Sequence, residues 1–166
     1  MNCEEIKTEE QDKKVLDTFK KLLGLEHFGW KFGAVMFVVS SFLLILSGVM
    51  MIISGAFLLR SSAGNEMLSR YPFILMGVLY ICLALVELIP LTVISFIMLK
   101  KNEYYQSTVD TDLSIARKRA TSVGMIVFCF LFNNIAAIFY LINFIKTKNN
   151  AAAFDRLEAA QKGGNI

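Results

Sequence analysis

The chain has 166 residues, of which 55% are hydrophobic, and a formal net charge of +3. A mean hydropathy of +0.55 is too high for an ordinary soluble domain of this length, and the small net charge gives no support for nucleic-acid binding. Residues 32–59 and 123–145 carry no charged side chain, and residues 72–99 carry only Glu87. Each stretch exceeds the roughly 20 residues that cross a hydrocarbon core. We therefore predict an all-α integral membrane helical bundle with three transmembrane helices.

The first 31 residues are charged and are predicted to form a cytoplasmic N-terminal segment. Residues 8–23 have the pattern of an amphipathic helix that stops at Gly24. Its apolar face consists of Val15, Leu16, Phe19, Leu22 and Leu23. We expect this helix to lie on the membrane surface or against another part of the bundle. Residues 25–32, which include Trp30, have the composition of a headgroup interface.

Small residues in the first span follow two registers of seven. One register contains Gly33, Ser40, Ser47 and Ser54, and the other contains Ala34, Ser41, Gly48 and Gly55. A repeat of seven places side chains in one stripe along a helix, and in lipid small stripes let helix backbones approach closely. In the second span, Gly77 and Ala84 have the same spacing. The predicted helix-packing residues are Gly33, Ser40, Ser41, Ser47, Gly48, Ser54, Gly55, Gly77 and Ala84.

An acidic residue, Glu87, lies near the middle of the second span, three residues before Pro90. An ionisable group at that depth is costly unless it is paired, protonated or hydrated. Ser47, Asn133 and Asn134 lie near the midpoints of the other two spans. We predict a midplane polar cluster of Glu87 with these three residues. A helix-fastening role is favoured over a proton or ion site, since a transporter would normally carry more than one such group.

The segment 100–122 is predicted to contain a helix that is capped at 110–112 and continues unbroken into the third span, 123–145. Polar and small residues on this third helix recur at steps of three, four or seven. They are Ser122, Cys129, Asn133, Ala136, Tyr140, Asn143 and Thr147. The tail, 146–166, is predicted to form a short helix capped by Asn150.

Lysine and arginine near the ends of the spans predict the orientation. The segment 12–31 carries five of them and the second loop five more, against six in the first loop and the tail together. This distribution favours a cytoplasmic N-terminus and second loop, with the C-terminus on the opposite side.

No constellation of catalytic residues is visible in the sequence. His27 is the only histidine, no CxxC pair occurs among the three cysteines, and glycine-rich phosphate loops are absent. We expect no enzymatic activity, catalytic residue, cofactor or metal site. The expected partners are membrane lipid and either further copies of this chain or other membrane subunits, and not nucleic acid.

Two segments resemble a family of small, functionally uncharacterised bacterial multi-span membrane proteins. The first is the aromatic and basic run at 27–33, and the second runs from Gly77 past Pro90 to the basic pair at 100–101. The resemblance covers roughly residues 25–145 and implies a bacterial inner-membrane location. It implies no activity, cofactor or partner. The aromatic residue common before the proline in that family is absent here.

These observations predict three parts: an N-terminal segment at 1–31, a membrane domain at 32–145 and a tail at 146–166. They favour a non-enzymatic structural or accessory membrane component that packs with itself or within a larger complex. The alternative is a small channel or carrier subunit that uses the predicted polar cluster.

Overall fold

The computed structural model is all-α, as predicted, and describes residues 3–61 and 71–163, with side chains for 6–57 and 71–163. The helices in these ranges are α1 (Cys3–Ser61), α2 (Tyr71–Thr108), α3 (Leu113–Ala120), α4 (Val123–Phe132), α5 (Asn134–Asn149) and α6 (Ala151–Lys162). Most of the first predicted loop lies outside the described residues.

The chain divides into two compact units. Unit 1 comprises Met1–Gly33 and Ser95–Ile166, and unit 2 comprises Ala34–Ile94. Both α1 and α2 have residues in each unit, whereas α3 to α6 belong to unit 1.

Helix α1 is continuous over 59 residues, so the prediction that it stops at Gly24 is wrong. A Cβ added at Gly24 would meet nothing within 4 Å, so no contact forces the backbone to break there. One glycine inside a helix costs only about 1 kcal/mol relative to alanine. The amphipathic segment 8–23 and the first predicted span therefore form one helix.

In unit 2 the backbones of α1 and α2 approach closely through glycine. A Cβ added at Gly48 would lie 2.6 Å from the carbonyl oxygen of Gly77, and one added at Gly77 would lie 2.6 Å from that of Gly48. A Cβ at Gly55 would lie 2.8 Å from Cγ1 of Ile74. Side chains at these positions would push the helices apart, which is the close approach expected of small residues between membrane helices.

The interior of unit 2 is formed by small residues. Among its described residues the buried ones are Ser41, Gly48, Gly55, Gly77 and Ala84. In contrast, 22 large apolar side chains of this unit are exposed. Of the two predicted stripes, the one that contains Gly48 is half-buried at Ala34 and buried at its other three positions. Ser40, Ser47 and Ser54 of the other stripe are exposed.

The predicted third span, 123–145, is not one continuous helix. Helix α4 ends at Phe132, Asn133 has an extended backbone with φ −158° and ψ 91°, and α5 begins at the next residue. The hydroxyl of Tyr140 donates to the carbonyl of Arg119, 21 residues earlier. In an unbroken helix those residues would be about 31 Å apart along the axis. The chain therefore turns back, and α4 and α5 form a helical hairpin.

Asn133 makes the break in this hairpin stable. Its Oδ1 accepts a hydrogen bond from the backbone of Ala136 at 3.0 Å, and its Nδ2 donates to the carbonyl of Gly29 at 3.1 Å. A Cβ at Gly33 would collide with the Asn133 amide. Gly33, predicted as a helix-packing residue, thus leaves room for this side chain. The predicted unbroken passage from the loop helix into the third span is also wrong, because α3 ends at Ala120.

The core of unit 1 contains apolar side chains, most of them large, from α1, α3 and α6 and from the turn after α2. They are Phe19, Leu23, Val109, Leu113, Ala116, Ala120, Phe154 and Leu157. The rings of Phe19 and Phe154 meet edge to face with centroids 5.1 Å apart. The amphipathic face of 8–23 therefore packs against other helices, one of its two predicted locations.

The N-terminal helix and the C-terminal tail are in direct contact. Arg156 of α6 donates to both carboxylate oxygens of Asp12 in α1, at 2.6 and 2.8 Å. A bilayer cannot separate residues that touch, so the prediction that the C-terminus lies opposite the N-terminus is wrong. Asn150 is the N-cap residue of α6, as predicted, but its side chain makes no capping hydrogen bond and donates instead to the carbonyl of Lys146 at 2.8 Å.

Candidate functional site

A buried ion pair lies at the centre of unit 1. The Arg119 guanidinium of α3 donates to Oε2 of Glu26 in α1 at 2.8 Å. The side chains are 5% and 1% exposed, respectively. Two charges are removed from water at this point, which is tolerated only when each finds further polar partners.

Those partners come from two other helices. Nη2 of Arg119 donates to Oδ1 of Asn102 in α2. On the other side, Nδ2 of Asn143 in α5 donates to Oε1 of Glu26 at 2.8 Å, and the Thr147 hydroxyl donates to Asn143 at 3.3 Å. One connected network therefore joins α1, α2, α3 and α5.

Aromatic rings complete the surroundings of Arg119. Its guanidinium carbon lies 4.7 Å from the ring centroid of Tyr105 and 5.4 Å from that of Tyr140. Cation–π attraction is strongest where water is excluded, as it is at this arginine. We call the group of Glu26, Asn102, Arg119, Tyr140 and Asn143 the polar core.

The polar core leaves a buried donor of Arg119 unused. Its Nε has no hydrogen-bond partner within the described part of the chain, and neither does Nδ2 of Asn102. A buried polar atom without a partner is uncommon in native structures, because the lost hydration is not replaced. Two buried donors beside the ion pair therefore have no hydrogen-bond acceptor among the described residues.

Arg119 also lines a cleft of about 450 Å³ at the junction of α3 and α4. The cleft-lining residues are Lys101, Tyr105, Ile115, Lys118, Arg119, Ser122 and Met125. Three of them are cationic and none carries a carboxylate. Lys101 and Lys118 are exposed and form no ion pair with any described residue.

The neighbouring basic residue, Arg117, is neutralised on the surface. It bridges α3 to α6 through Asp155 at 2.6 Å and Glu158 at 3.1 Å. At the other end of α3, Asp112 is the N-cap and accepts from the backbone of Ser114 at 3.1 Å and from its hydroxyl at 2.6 Å. The hydrogen bond from the Ser114 hydroxyl is the main reason that the pKa of Asp112 lies below its ordinary value.

Members of the predicted midplane cluster belong to both units. Ser47 and Glu87 of unit 2 are exposed, and Glu87 has no hydrogen-bond or ion-pair partner among the described side chains. In unit 1, Asn134 is exposed and Asn133 is occupied by its contacts to Gly29 and Ala136. Gly77 and Ala84 of the same helix are buried, whereas Glu87 is not. The cluster stays a prediction.

The sequence analysis did not single out Glu26, Asn102 or Arg119. Part of the signal was present in the stripe on the predicted third helix, because six of its seven members are buried. Two of those six, Tyr140 and Asn143, are members of the polar core. Asn143 pointed to a buried polar surface, but nothing in its spacing named the residues on the facing helices.

No model of a known protein family matches the chain, and neither a curated protein nor a solved structure matches it. The assignment of function therefore depends on the residues and their geometry.

Proposed function

We propose that the chain is a non-enzymatic integral membrane protein, a structural or accessory component that packs with itself or within a larger membrane complex. The observation that carries the proposal is the inverted arrangement of unit 2, where small residues are buried and 22 large apolar side chains are exposed. In water this surface would be costly, at about 25 cal/mol for each Å² of apolar area. In a hydrocarbon core it is the favoured surface.

Two complete crossings are proposed, one in α1 and one in α2. Both helices are long and apolar enough to span a bilayer. The third predicted crossing, 123–145, is proposed instead to enter from one side and return as the α4–α5 hairpin. Ten residues of α4 extend only about 15 Å, half of a hydrocarbon core. Backbone breaks at membrane depth require partners from protein, and Asn133 supplies one.

The distribution of basic residues supports a bacterial inner-membrane orientation in which the N-terminal segment, the second loop and the tail are cytoplasmic. Fifteen of the 17 lysines and arginines lie in the segments of unit 1, and the other two are Arg60 and Arg70. Because α6 packs on α1, the basic residues of the tail join those of the N-terminus and the second loop on one side. The excess of basic residues on this side is larger than it would be with the tail on the opposite side. The arrangement therefore agrees better with the positive-inside rule. The resemblance to small bacterial membrane proteins agrees with this location.

Two exposed features of unit 2 support association with another membrane helix. Ser40, Ser47 and Ser54 form an exposed small stripe that lies about 100° around α1 from the buried one. Glu87 is exposed on a predominantly apolar helix, where a carboxyl group is stable only with a polar partner or a proton. A second chain that covers these residues would satisfy both.

The test uses the full chain in native membranes. Carbonate washing should leave it in the membrane pellet. A photo-crosslinking side chain at position 47 should then yield one defined product, either a dimer of this chain or a complex with a single membrane protein. The matched control is position 38, which is exposed on the opposite side of α1, since nine residues rotate a helix by about 180°. Release by carbonate, or equal products from both positions, would contradict the proposal.

The second candidate is a small channel or carrier subunit that uses Ser47, Glu87, Asn133 and Asn134. The unpartnered carboxyl of Glu87 favours it. Reconstituted chain should then give an ion flux that depends on pH, and Glu87→Gln should abolish the flux while leaving the amount of inserted protein unchanged. No flux from the wild-type chain at any pH would reject this candidate.

A further inference from the structure

We propose that the cleft at the α3–α4 junction binds a phosphate group, either as the free anion or as the headgroup of an anionic lipid. The charge of its lining points to an anion. Lys101 and Lys118 bring two cations that no described carboxylate neutralises, and no acidic residue lines the cleft. The third cation, Arg119, is already balanced by Glu26, so the lysines supply the net positive charge.

Arg119 supplies an unused hydrogen-bond donor. The residue is only 7% exposed. Its Nε is buried and has no hydrogen-bond partner among the residues that the structure describes. Its two terminal nitrogens are engaged by Glu26 and Asn102, which fix the guanidinium plane. A phosphate oxygen accepts charge-assisted hydrogen bonds of this kind, and a rigid arginine loses little entropy on forming one.

The start of α4 adds to the positive potential of the cleft. Ser122 is its N-cap and makes no side-chain capping hydrogen bond, so its hydroxyl remains free to donate to a ligand. The first backbone N–H groups of a helix and its dipole favour an anion at this end. Ser122 and Arg119 both line the cleft, so the start of α4 and the arginine border the same space.

The size and the surroundings of the cleft accommodate more than the phosphate itself. Its volume of about 450 Å³ is in the range of small-molecule sites. Ile115 and Met125 give it apolar walls. A lipid headgroup would place its phosphate among the cations and its glycerol against these side chains. Binding of a lipid headgroup rests on the proposed function, whereas binding of free phosphate does not.

Binding is measured by calorimetry on the full chain in a neutral detergent. The probes are inorganic phosphate and dihexanoyl phosphatidylglycerol, with zwitterionic dihexanoyl phosphatidylcholine for comparison. We expect both anionic probes to bind and the zwitterionic one to bind more weakly. Tighter binding of phosphatidylglycerol than of phosphate assigns the site to a headgroup, and equal or weaker binding assigns it to free phosphate.

The variants locate the site. Lys101→Gln/Lys118→Gln should weaken binding roughly 30-fold, because each basic residue near an anionic group contributes about a factor of five to six. Ser122→Glu should abolish it by placing a carboxylate in the cleft. The matched control, Lys148→Gln, removes an exposed lysine of unit 1 outside the cleft and should bind as the wild type does. The α3–α4 site is overturned if neither anionic probe binds, or if the double variant binds as tightly as the control.

These outcomes are separable from those of the proposed function. A chain that leaves the membrane on carbonate washing but binds phosphate in the cleft would refute the membrane proposal and keep the site. A chain that stays in the membrane and binds neither anionic probe would keep the membrane proposal and refute the site.

Discussion

The two units bury opposite kinds of residue. Unit 1 buries Trp30, Tyr140 and Phe154 together with the Glu26–Arg119 pair. The described part of unit 2 buries only glycine, alanine and serine. Two segments of one continuous helix, α1, contribute to both arrangements. Helix formation is therefore common to the units, and what differs is the kind of residue that each buries. On the proposed function, this difference reflects a lipid medium around unit 2.

The difference follows from what drives packing in each medium. In water, large apolar side chains gain most by leaving the solvent, and the core of unit 1 contains them. In lipid, apolar side chains gain nothing by exchanging lipid for protein, so helices associate through close backbone contact and polar groups. The Gly48–Gly77 contact is of that kind. Unit 1 combines its apolar core with a polar core that fixes four helices relative to one another.

The largest effect is expected for Arg119→Met in the polar core. The substitution leaves the Glu26 carboxylate buried without its cation, which should cost about 3–5 kcal/mol of stability. Thermal unfolding of the purified chain in detergent, followed by circular dichroism, measures the loss.

Two further variants test the cause of that loss. Adding Glu26→Gln should recover much of the stability, because the amide carries no charge and can still accept from Asn143. Lys118→Met, at the exposed neighbouring position, should change little. If the double variant is no more stable than Arg119→Met, the loss comes from packing around the guanidinium and not from the unpaired charge.

A smaller effect is expected for Gly48→Leu in unit 2. The new side chain would collide with the backbone of Gly77 and should cost about 1–3 kcal/mol, the usual range for overpacking. Unfolding by increasing mole fractions of an anionic detergent measures this. Ala56→Leu is the matched control, since Ala56 is an exposed small residue of α1 outside both stripes and its substitution should stay within about 0.5 kcal/mol of the wild type. Equal losses at the two positions would mean that the buried stripe has no special role.

Helices and the stripe of small residues could be predicted from the sequence because both depend on local periodicity. The reversal at Asn133 could not. An asparagine within an apolar run is equally compatible with a helix whose amide reaches a neighbour. It ends α4 here because Gly29, Gly33 and Ala136 surround its side chain, and two of these three contacts are distant in sequence.

The three consecutive basic residues at 117–119 show why the polar core could not be predicted from the sequence either. Arg117 pairs with acids of α6, Lys118 is exposed beside the cleft, and Arg119 enters the polar core. Successive helical residues point about 100° apart, so adjacent positions reach different surroundings. The orientation prediction counted all three equally, because it used only their positive charge. Only the packing of α1, α2 and α6 around α3 distinguishes them.

The smallest effect is expected at the surface of unit 1, where Asp112 caps α3. Its pKa is lowered in the folded chain by the Ser114 hydrogen bond, so the folded state favours the carboxylate. The resulting stability is fully present above the ordinary pKa of an aspartate, about 4, and is lost as the pH falls through the lower folded value. Asp112→Asn keeps a good capping residue but removes the titration. Thermal unfolding measured from pH 6 to pH 3 should therefore decline less steeply for this variant than for the wild type. Parallel declines would show that the cap contributes nothing that depends on its charge, and that the acid sensitivity of unit 1 comes from other groups.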